Sequence, residues 1–304
     1  MLGLAATLSA AGLIYLILPF TLQTGFAAGL KLANRATICP WSRVLWFWPE
    51  VNRFAGIYER VRKTTSLARQ EDGLDLLATP GGSLWVRHEN VAGNQAVYQM
   101  AEHQWVALTN PGDTVQRGDV VVDVGAHVGI FTRQALSLGA SRVIAVEPDP
   151  GNIRCLERNF EQQIASGQVV IVPEGAWSST STMTLHLGAS SAWNSLVTVP
   201  VGSGSIEVPV RPLDDMLAAL HVSKVDFIKM DIEGAEREAL AGAFRTLRDL
   251  RPRLMIDSYH RPDDMEVLPR VIRRAHADYQ ISCGPCETSQ EGPRQLIPHV
   301  TFYR

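Results

Sequence analysis

The residues from Asp123 to Gly129 read Asp-Val-Gly-Ala-His-Val-Gly and combine an acid with a glycine-rich turn. The turn follows an apolar run, Val120 to Val124, which predicts a buried strand, and it precedes a helical pattern. Glycines let a backbone pass close to a ligand, and the start of a helix offers unpaired N–H groups. The loop therefore predicts a binding site made by Gly125, Ala126, His127 and Gly129.

A second acid, Glu147, ends the next predicted strand, 18 residues after Gly129. Its carboxylate can accept hydrogen bonds from both hydroxyls of an adenosine ribose, each contributing about 1.5–3 kcal/mol. Asp123, just before the turn, suits the positively charged amino group at the methionine end of S-adenosylmethionine. The two acids thus predict S-adenosylmethionine as the cofactor, with Pro148 beside Glu147 in the same site.

A nicotinamide-dependent oxidoreductase is the alternative reading, because that class also uses a ribose-binding acid. Its loop reads Gly-x-Gly-x-x-Gly in order to admit a pyrophosphate. Here the spacing is Gly-x-x-x-Gly, and His127 replaces the middle glycine. A pyrophosphate would also be repelled by Asp123, so the pattern favours S-adenosylmethionine.

Further acids follow the predicted strand from Val225 to Met230. Asp231 stands at the strand end, where it could orient an acceptor, take its proton, bind a metal or only cap the next helix. Glu233 and Glu236 either contact the substrate or complement the dipole of that helix. His260 follows the fifth strand and is either a base or acceptor ligand, or an ordinary loop histidine.

Two other segments carry candidate contacts. The residues that follow the third strand are expected to lie at the adenine edge of the cofactor, and they are Glu174, Gly175 and Ala176. Asn194 belongs to a polar stretch that could face an acceptor sugar, although a plain hairpin loop explains that stretch nearly as well.

No metal site is predicted, because histidines and cysteines do not cluster at ligand spacing. Asp231, Glu233 and Asp257 could converge on a hard ion, but such a site cannot be recognised in one sequence. Cys283-Gly-Pro-Cys286 has the spacing of a redox or zinc motif. It lacks a thioredoxin-like setting and a second ligand pair, so we interpret it as a turn.

Strands and helices alternate along the chain, and this predicts an α/β fold with a doubly wound, mostly parallel sheet. In such sheets the ligand lies at the carboxyl ends of the strands, where Asp123, Glu147 and Asp231 are found. Strands are expected at 120–124, 142–146, 169–172, 225–230, 254–257, 279–282 and 300–303, and helices at 128–138, from Asp149, and at 213–220, 235–247 and 265–275.

Four segments together resemble the FkbM-type methyltransferase family: 117–132, 146–150, 213–215 and 226–236. The most specific part is Lys-x-Asp-x-Glu-Gly-Ala-Glu, from Lys229 to Glu236. The resemblance implies a seven-stranded class I methyltransferase fold, S-adenosylmethionine as methyl donor, and an oxygen acceptor that is often a sugar hydroxyl. The chain departs from the family at Asp257-Ser-Tyr-His260, where members tend to carry Glu followed more closely by His.

The N-terminus has no charged residue from Leu2 to Leu30, and this run is long enough to span a bilayer with a kink at Pro19. The first positive charges follow it, which would place the catalytic domain in the cytoplasm. A helix packed on the protein and a cleaved signal peptide are the alternatives. The expected domains are an anchor at 1–30, a juxtamembrane linker and amphipathic segment at 31–80, and the methyltransferase domain at 81–304.

The composition fits a folded enzyme, since 46% of residues are hydrophobic and 19% are charged. A formal net charge of −3 gives no reason to expect a nucleic-acid partner, which calls for a basic face. We therefore expect a membrane-anchored O-methyltransferase that acts on a small-molecule, glycan or glycolipid hydroxyl at the cytoplasmic face. A cofactor-binding but catalytically degenerate membrane scaffold is the alternative, and the oligomeric state is not predicted.

Overall fold

The computed structural model describes residues 21–33, 38–92, 94–199, 204–288 and 295–304. Its first half is built from helices and a small antiparallel sheet. The elements are α1 (residues 21–32), α2 (Trp41–Leu45), α3 (Phe47–Thr64), β1 (Ser66–Glu71), β2 (Leu74–Thr79), β3 (Gly82–Arg87), α4 (His88–Ala92) and α5 (Gln95–Thr109).

Strands and helices then alternate, as the sequence predicts. The elements are β4 (Val120–Val124), α6 (Ile130–Ser137), β5 (Arg142–Val146), α7 (Pro150–Asn159), α8 (Glu161–Ala165), β6 (Val169–Val172), β7 (Gly175–Ala176), β8 (Ser181–His186), a 3₁₀ turn (Ser191–Trp193), β9 (Ser205–Arg211), α9 (Leu213–Ala219), β10 (Phe227–Met230), α10 (Glu236–Ala241), α11 (Phe244–Asp249), β11 (Arg253–Ile256), α12 (Asp264–Ala275), β12 (Ile281–Cys283), β13 (Cys286–Thr288), β14 (Leu296–Pro298) and β15 (Thr301–Tyr303).

The central sheet has seven strands in the order β12-β15-β11-β10-β4-β5-β6. The inner strands pair in parallel, and β15 runs antiparallel to both of its neighbours. This confirms the predicted doubly wound, seven-stranded α/β fold. The strands β5, β4 and β10 are adjacent, so the loops that follow them meet at one edge of the sheet.

Both faces of the sheet are covered, which explains why its strands are continuous apolar runs rather than alternating ones. Val122 and Ile228 belong to one hydrophobic cluster, whereas Val121 and Phe227 belong to the cluster on the opposite face. All four side chains are buried. Helix α7 begins as predicted, because the Asp149 carboxylate accepts a hydrogen bond from the backbone N–H of Gly151.

The single helix predicted at 235–247 is wrong, since the chain forms α10 and α11 with a break at Gly242. A Cβ at Gly242 would lie 2.0 Å from the carbonyl oxygen of Trp177. The helix pattern therefore runs through a point where another backbone segment leaves no space for a side chain. Sequence periodicity carries no information about that contact.

The segment before residue 81 is more structured than the predicted linker, because β1, β2 and β3 form an antiparallel sheet. The predicted boundary at 81 falls in the turn between β2 and β3, which are paired along their length. This sheet packs on α7, where the Asn159 side chain accepts from Trp85 N at 2.7 Å and donates to Trp85 O at 2.9 Å.

The predicted anchor, residues 1–30, is described only from residue 21 onward, and its first 20 residues lie outside the described part of the chain. In α1, Ala27 and Leu30 are buried in a cluster with Val44 and Phe47. Among the described helices, none combines the length and the apolar character that crossing a bilayer requires. Cys39 and Cys286 of the same cluster form a disulfide, so Cys286 pairs with the N-terminal segment rather than with Cys283.

Candidate active site

A cleft opens at the carboxyl ends of β4, β5 and β10. Among the segments that line it are three loops and one strand: the glycine loop after β4, the start of the loop after β5, the loop from Asp231 to Glu233 after β10, and the strand β7. The loops named by the sequence therefore meet around one cavity.

The glycine loop is shaped first by its contacts inside the protein. Gly125 and Gly129 have φ angles of +80° and +91°, which favour glycine. A Cβ at Gly125 would lie 2.1 Å from the backbone oxygen of Asp231, and one at Gly129 would lie 2.2 Å from the Phe160 ring. Gly125, Ala126 and His127 border the cleft, whereas Gly129 is not among the lining residues.

His127 lies between the glycine loop and other elements of the site. Its ring nitrogens lie 3.1 Å from Gln99 Oε1, 2.8 Å from Ser191 Oγ and 3.1 Å from Asn90 Nδ2. Burial lowers its pKa to about 3, so the imidazole is neutral and can donate at one nitrogen and accept at the other. These bonds hold the loop against the N-terminal helices.

Glu147 borders the cleft together with Pro148. Its Oε2 accepts from the backbone N–H of His127 at 2.8 Å, and Oε1 accepts from Asp149 N and from the Asn152 amide. Burial raises the pKa of its carboxyl to about 7. Each carboxylate oxygen can accept two hydrogen bonds, so Oε2 keeps acceptor capacity for a ligand hydroxyl.

Asp123 is placed differently from the prediction that it contacts a cofactor amino group. Its side chain is fully buried and does not border the cleft. The Thr132 hydroxyl donates to its Oδ2 at 2.7 Å, and its Oδ1 lies 3.6 Å from Lys229 Nζ. These two partners hold the carboxylate inside the protein.

Lys229 is the functional candidate that the sequence analysis missed. Its Nζ donates to the carbonyl oxygen of Gly125 at 3.0 Å and lies 3.9 Å from Asp231 Oδ2. Burial would lower its pKa, but the carboxylates of Asp123 and Asp231 outweigh this effect and raise it. The available signal was a charged residue inside a buried strand, because such a residue almost always has a partner.

The acids after β10 meet the histidine after β11. His260 Nε2 lies 3.6 Å from Asp231 Oδ1 and 3.7 Å from Glu233 Oε2, and its Nδ1 lies 2.9 Å from Glu236 Oε1. Burial would lower the pKa of His260, but the three carboxylates raise it well above its usual value. Burial raises the pKa of Glu233 to about 8. The structure thus brings together the four polar residues predicted for this region.

Only part of this group faces the cleft. Asp231 and Glu233 border it, whereas His260 and Glu236 lie behind them. Glu236, predicted to contact the substrate, does not border the cleft: its buried Oε1 accepts from Ile232 N at 3.0 Å and bonds His260. Asp257, the third acid considered for a metal, instead has its carboxylate 3.5 Å from the Tyr259 hydroxyl.

Of the remaining predicted contacts, some border the cleft and others do not. Gly175 and Ala176 border the cleft, but Glu174 turns away and forms an ion pair of 2.7 Å with Arg211. Asn194 also borders the cleft. Its amide group donates to Asp149 Oδ2 at 2.6 Å and accepts from the backbone N–H of Gly188, so it already has partners on both sides.

The family described as "Methyltransferase FkbM domain" matches residues 123–281, more than half of the chain. The 31-O-demethyl-FK506 methyltransferase FkbM of Streptomyces tacrolimicus is 26% identical over 200 residues, which cover 56% of this chain and 76% of that protein. The hexuronic acid methyltransferase AglP of Haloferax volcanii is 25% identical over 170 residues, covering 56% of this chain and 68% of that protein.

Among solved structures, the methyltransferase FkbM of Methylobacillus flagellatus matches with 21% sequence identity and a TM-score of 0.45. The match covers 86% of this chain, and this chain spans 62% of that one.

Replacing Lys229 with Met should lower the free energy of unfolding by about 3–5 kcal/mol, because it leaves buried acids without their cation. Lys224→Met is the matched control, since Lys224 is 66% exposed and pairs with Asp226 at the surface. That variant should change stability by less than about 1 kcal/mol. Chemical denaturation of both variants measures the difference. Equal losses of stability would show that the buried interactions of Lys229 contribute no more than a surface ion pair.

Proposed function

The chain belongs to the FkbM family of S-adenosylmethionine-dependent methyltransferases, and we propose that it methylates a hydroxyl group of a sugar, free or in a glycan or glycolipid. The names of two relatives support an oxygen acceptor and a sugar acid, respectively. The observation that carries the proposal is the pair of acids Asp231 and Glu233, which border the cleft beside the glycine loop with His260 behind them. Such a wall suits a hydroxylated acceptor better than an apolar one.

The residues that border the cleft support S-adenosylmethionine as the cofactor. Glu147 can accept hydrogen bonds from the ribose hydroxyls. Gly125 and Ala126 bring the backbone of the glycine loop close to the cofactor. Gly175 and Ala176 have small or no side chains and leave space for it on the neighbouring side of the cleft. When bound, this cofactor supplies a methyl group on a positively charged sulfur. Pro148 and His127 complete the proposed binding surface.

Asp231 is the proposed catalytic residue, because its carboxylate borders the cleft at the end of β10. It accepts a hydrogen bond from the acceptor hydroxyl and takes the hydroxyl proton while the new O–C bond forms and the S–C bond breaks. His260 lies behind Asp231 and positions it. Glu233 and Asn194 are the proposed acceptor contacts at the cleft wall.

Holding donor and acceptor in line can lower the barrier of a displacement by roughly 7–11 kcal/mol. Gly125 packs directly on the backbone of Asp231, so the glycine loop and the proposed catalytic acid are in direct contact. The cleft can therefore fix the separation of the two reactants.

Glu147→Gln should weaken S-adenosylmethionine binding about 10–100-fold, because an amide replaces one charged acceptor of the ribose hydroxyls. Glu174→Gln is the matched control, because Glu174 also follows a strand of the sheet but pairs with Arg211 outside the cleft. Isothermal titration calorimetry measures both. A loss for Glu174→Gln that equals the loss for Glu147→Gln would contradict the proposed cofactor site.

Asp231→Asn should lower kcat about 10²–10⁴-fold while cofactor binding is retained, since only the proton acceptor is removed. Glu238→Gln is the control, because its carboxylate accepts from Ser178 on an exposed face of α10. The assay uses labelled S-adenosylmethionine with free and lipid-linked glycans, followed by mass spectrometry. Methyl groups found only on protein or nucleic acid, or cofactor binding without turnover on any acceptor, would refute the proposal.

For location we propose a membrane-associated enzyme with its catalytic domain on the cytoplasmic side. The uncharged N-terminal run supports membrane association, as do exposed apolar side chains near it: Leu22, Phe26, Trp41, Leu45 and Trp46. The positive charges that follow the run support the cytoplasmic side. The Cys39–Cys286 disulfide argues for an oxidising compartment instead, because such bonds are rare in the cytosol.

The chain expressed in its own cells should remain in the membrane fraction after an alkaline wash, because the apolar run inserts into the bilayer. A thiol reagent applied to the denatured chain tests the side of the membrane: on the cytoplasmic side the Cys39–Cys286 bond of the structure should be reduced, so that all four cysteines react. Release by the wash would contradict membrane insertion. Reaction of Cys155 and Cys283 alone, the two cysteines free in the structure, would contradict the cytoplasmic side.

A further inference from the structure

We propose that Asp231, Glu233 and His260 bind a divalent metal ion at the edge of the cleft, with Glu236 as the residue that orients His260. The three side chains offer two carboxylate oxygens and one imidazole nitrogen, all within 4.8 Å of one another. The role of the ion in catalysis rests on the proposed function, but its binding does not.

The first observation is a buried nitrogen without a hydrogen-bond partner. The His260 side chain is only 7% exposed, and its Nε2 makes no hydrogen bond. It points toward Asp231 Oδ1 and Glu233 Oε2, both slightly beyond hydrogen-bond distance. A buried nitrogen without a partner is costly, and a ligand shared with the two carboxylates would satisfy it.

The second observation is the bond on the other side of the ring. Glu236 Oε1 lies 2.9 Å from His260 Nδ1, and it also accepts from Ile232 N. Nδ1 therefore carries a hydrogen, so Nε2 is the nitrogen that becomes the ligand when a metal ion displaces the second proton of the ring. A carboxylate that bonds the far nitrogen of a metal-binding histidine is a recurrent feature of metal sites, where it fixes the ring and its tautomer.

The distances also fit an ion. Metal–ligand bonds to imidazole and carboxylate are about 2.0–2.2 Å, so two ligands of one ion lie about 3.0–3.7 Å apart. The observed separations of 3.6 and 3.7 Å between Nε2 and the two carboxylates fall at the upper end of this range. The oxygens of Asp231 and Glu233 lie within 4.8 Å of each other, so the two carboxylates would close toward an ion bound between them and Nε2.

The site would remain open on one side. Asp231 and Glu233 border the cleft and His260 lies behind them, so the coordination positions without a protein ligand face the cleft. Water or the acceptor oxygen would occupy them. An ion there polarises the acceptor hydroxyl and makes its proton easier to lose. Two carboxylates with one imidazole suit Mn²⁺ better than Mg²⁺, which prefers oxygen ligands, and Mn²⁺ is also the better probe because it is paramagnetic.

The test is a titration of the full chain, stripped with a chelator, with Mn²⁺ alone, followed by electron paramagnetic resonance. Wild type should bind one ion. Glu236→Gln should weaken binding about 10–100-fold, the usual effect of losing such an orienting bond. Asp231→Asn and His260→Ala, which remove ligands, should weaken it at least as much, and Glu238→Gln should bind as wild type does.

Thermal unfolding of each variant and calorimetry with S-adenosylmethionine show whether the variants are folded. If wild type binds no Mn²⁺, or binds it as well as folded His260→Ala does, the metal site is refuted, and a proton shared among the three side chains explains the geometry. Methyl transfer without Mn²⁺ binding would leave the proposed function standing. Mn²⁺ binding without methyl transfer to any sugar would refute the proposed function and leave the metal site standing.

Discussion

The site is organised around one buried cation, the ammonium group of Lys229. It lies opposite Asp123 in the register of β10 and β4, and it reaches both Asp231 and the carbonyl oxygen of Gly125. Removing one partner of a buried charge costs several kcal/mol, so these groups are held to one arrangement. These contacts of Lys229 connect β4 and β10 with the loops that follow them.

The consequence is that the glycine loop and the loop from Asp231 to Glu233 pack directly on each other. Gly125 packs so closely on the backbone of Asp231 that no side chain fits between them. The backbone N–H of His127 also links the glycine loop to Glu147, directly after β5. The proposed displacement depends on the alignment of donor and acceptor, and the loops proposed to hold them are joined here by backbone contacts.

The sequence predicts the central sheet well, because a buried parallel strand needs an apolar run and its loop needs turn residues. It does not predict β1, whose residues are all exposed and show no alternation, or the helix break at Gly242, which a distant backbone contact imposes. In the site, the positions of the acids in the sequence are enough to predict the loops on which they lie. The direction of each side chain depends on partners, so Asp123 and Glu236 turn inward toward Lys229 and His260.

The cleft also depends on elements outside the part that the family shares. The family match begins at residue 123, yet His127 of the glycine loop bonds Asn90 of α4 and Gln99 of α5. A neutral imidazole can satisfy such partners only by donating at one nitrogen and accepting at the other, which the burial of His127 ensures. The N-terminal helices are therefore a wall of the site. Differences in acceptor between this chain and its relatives can arise there, in residues that the common motifs do not include.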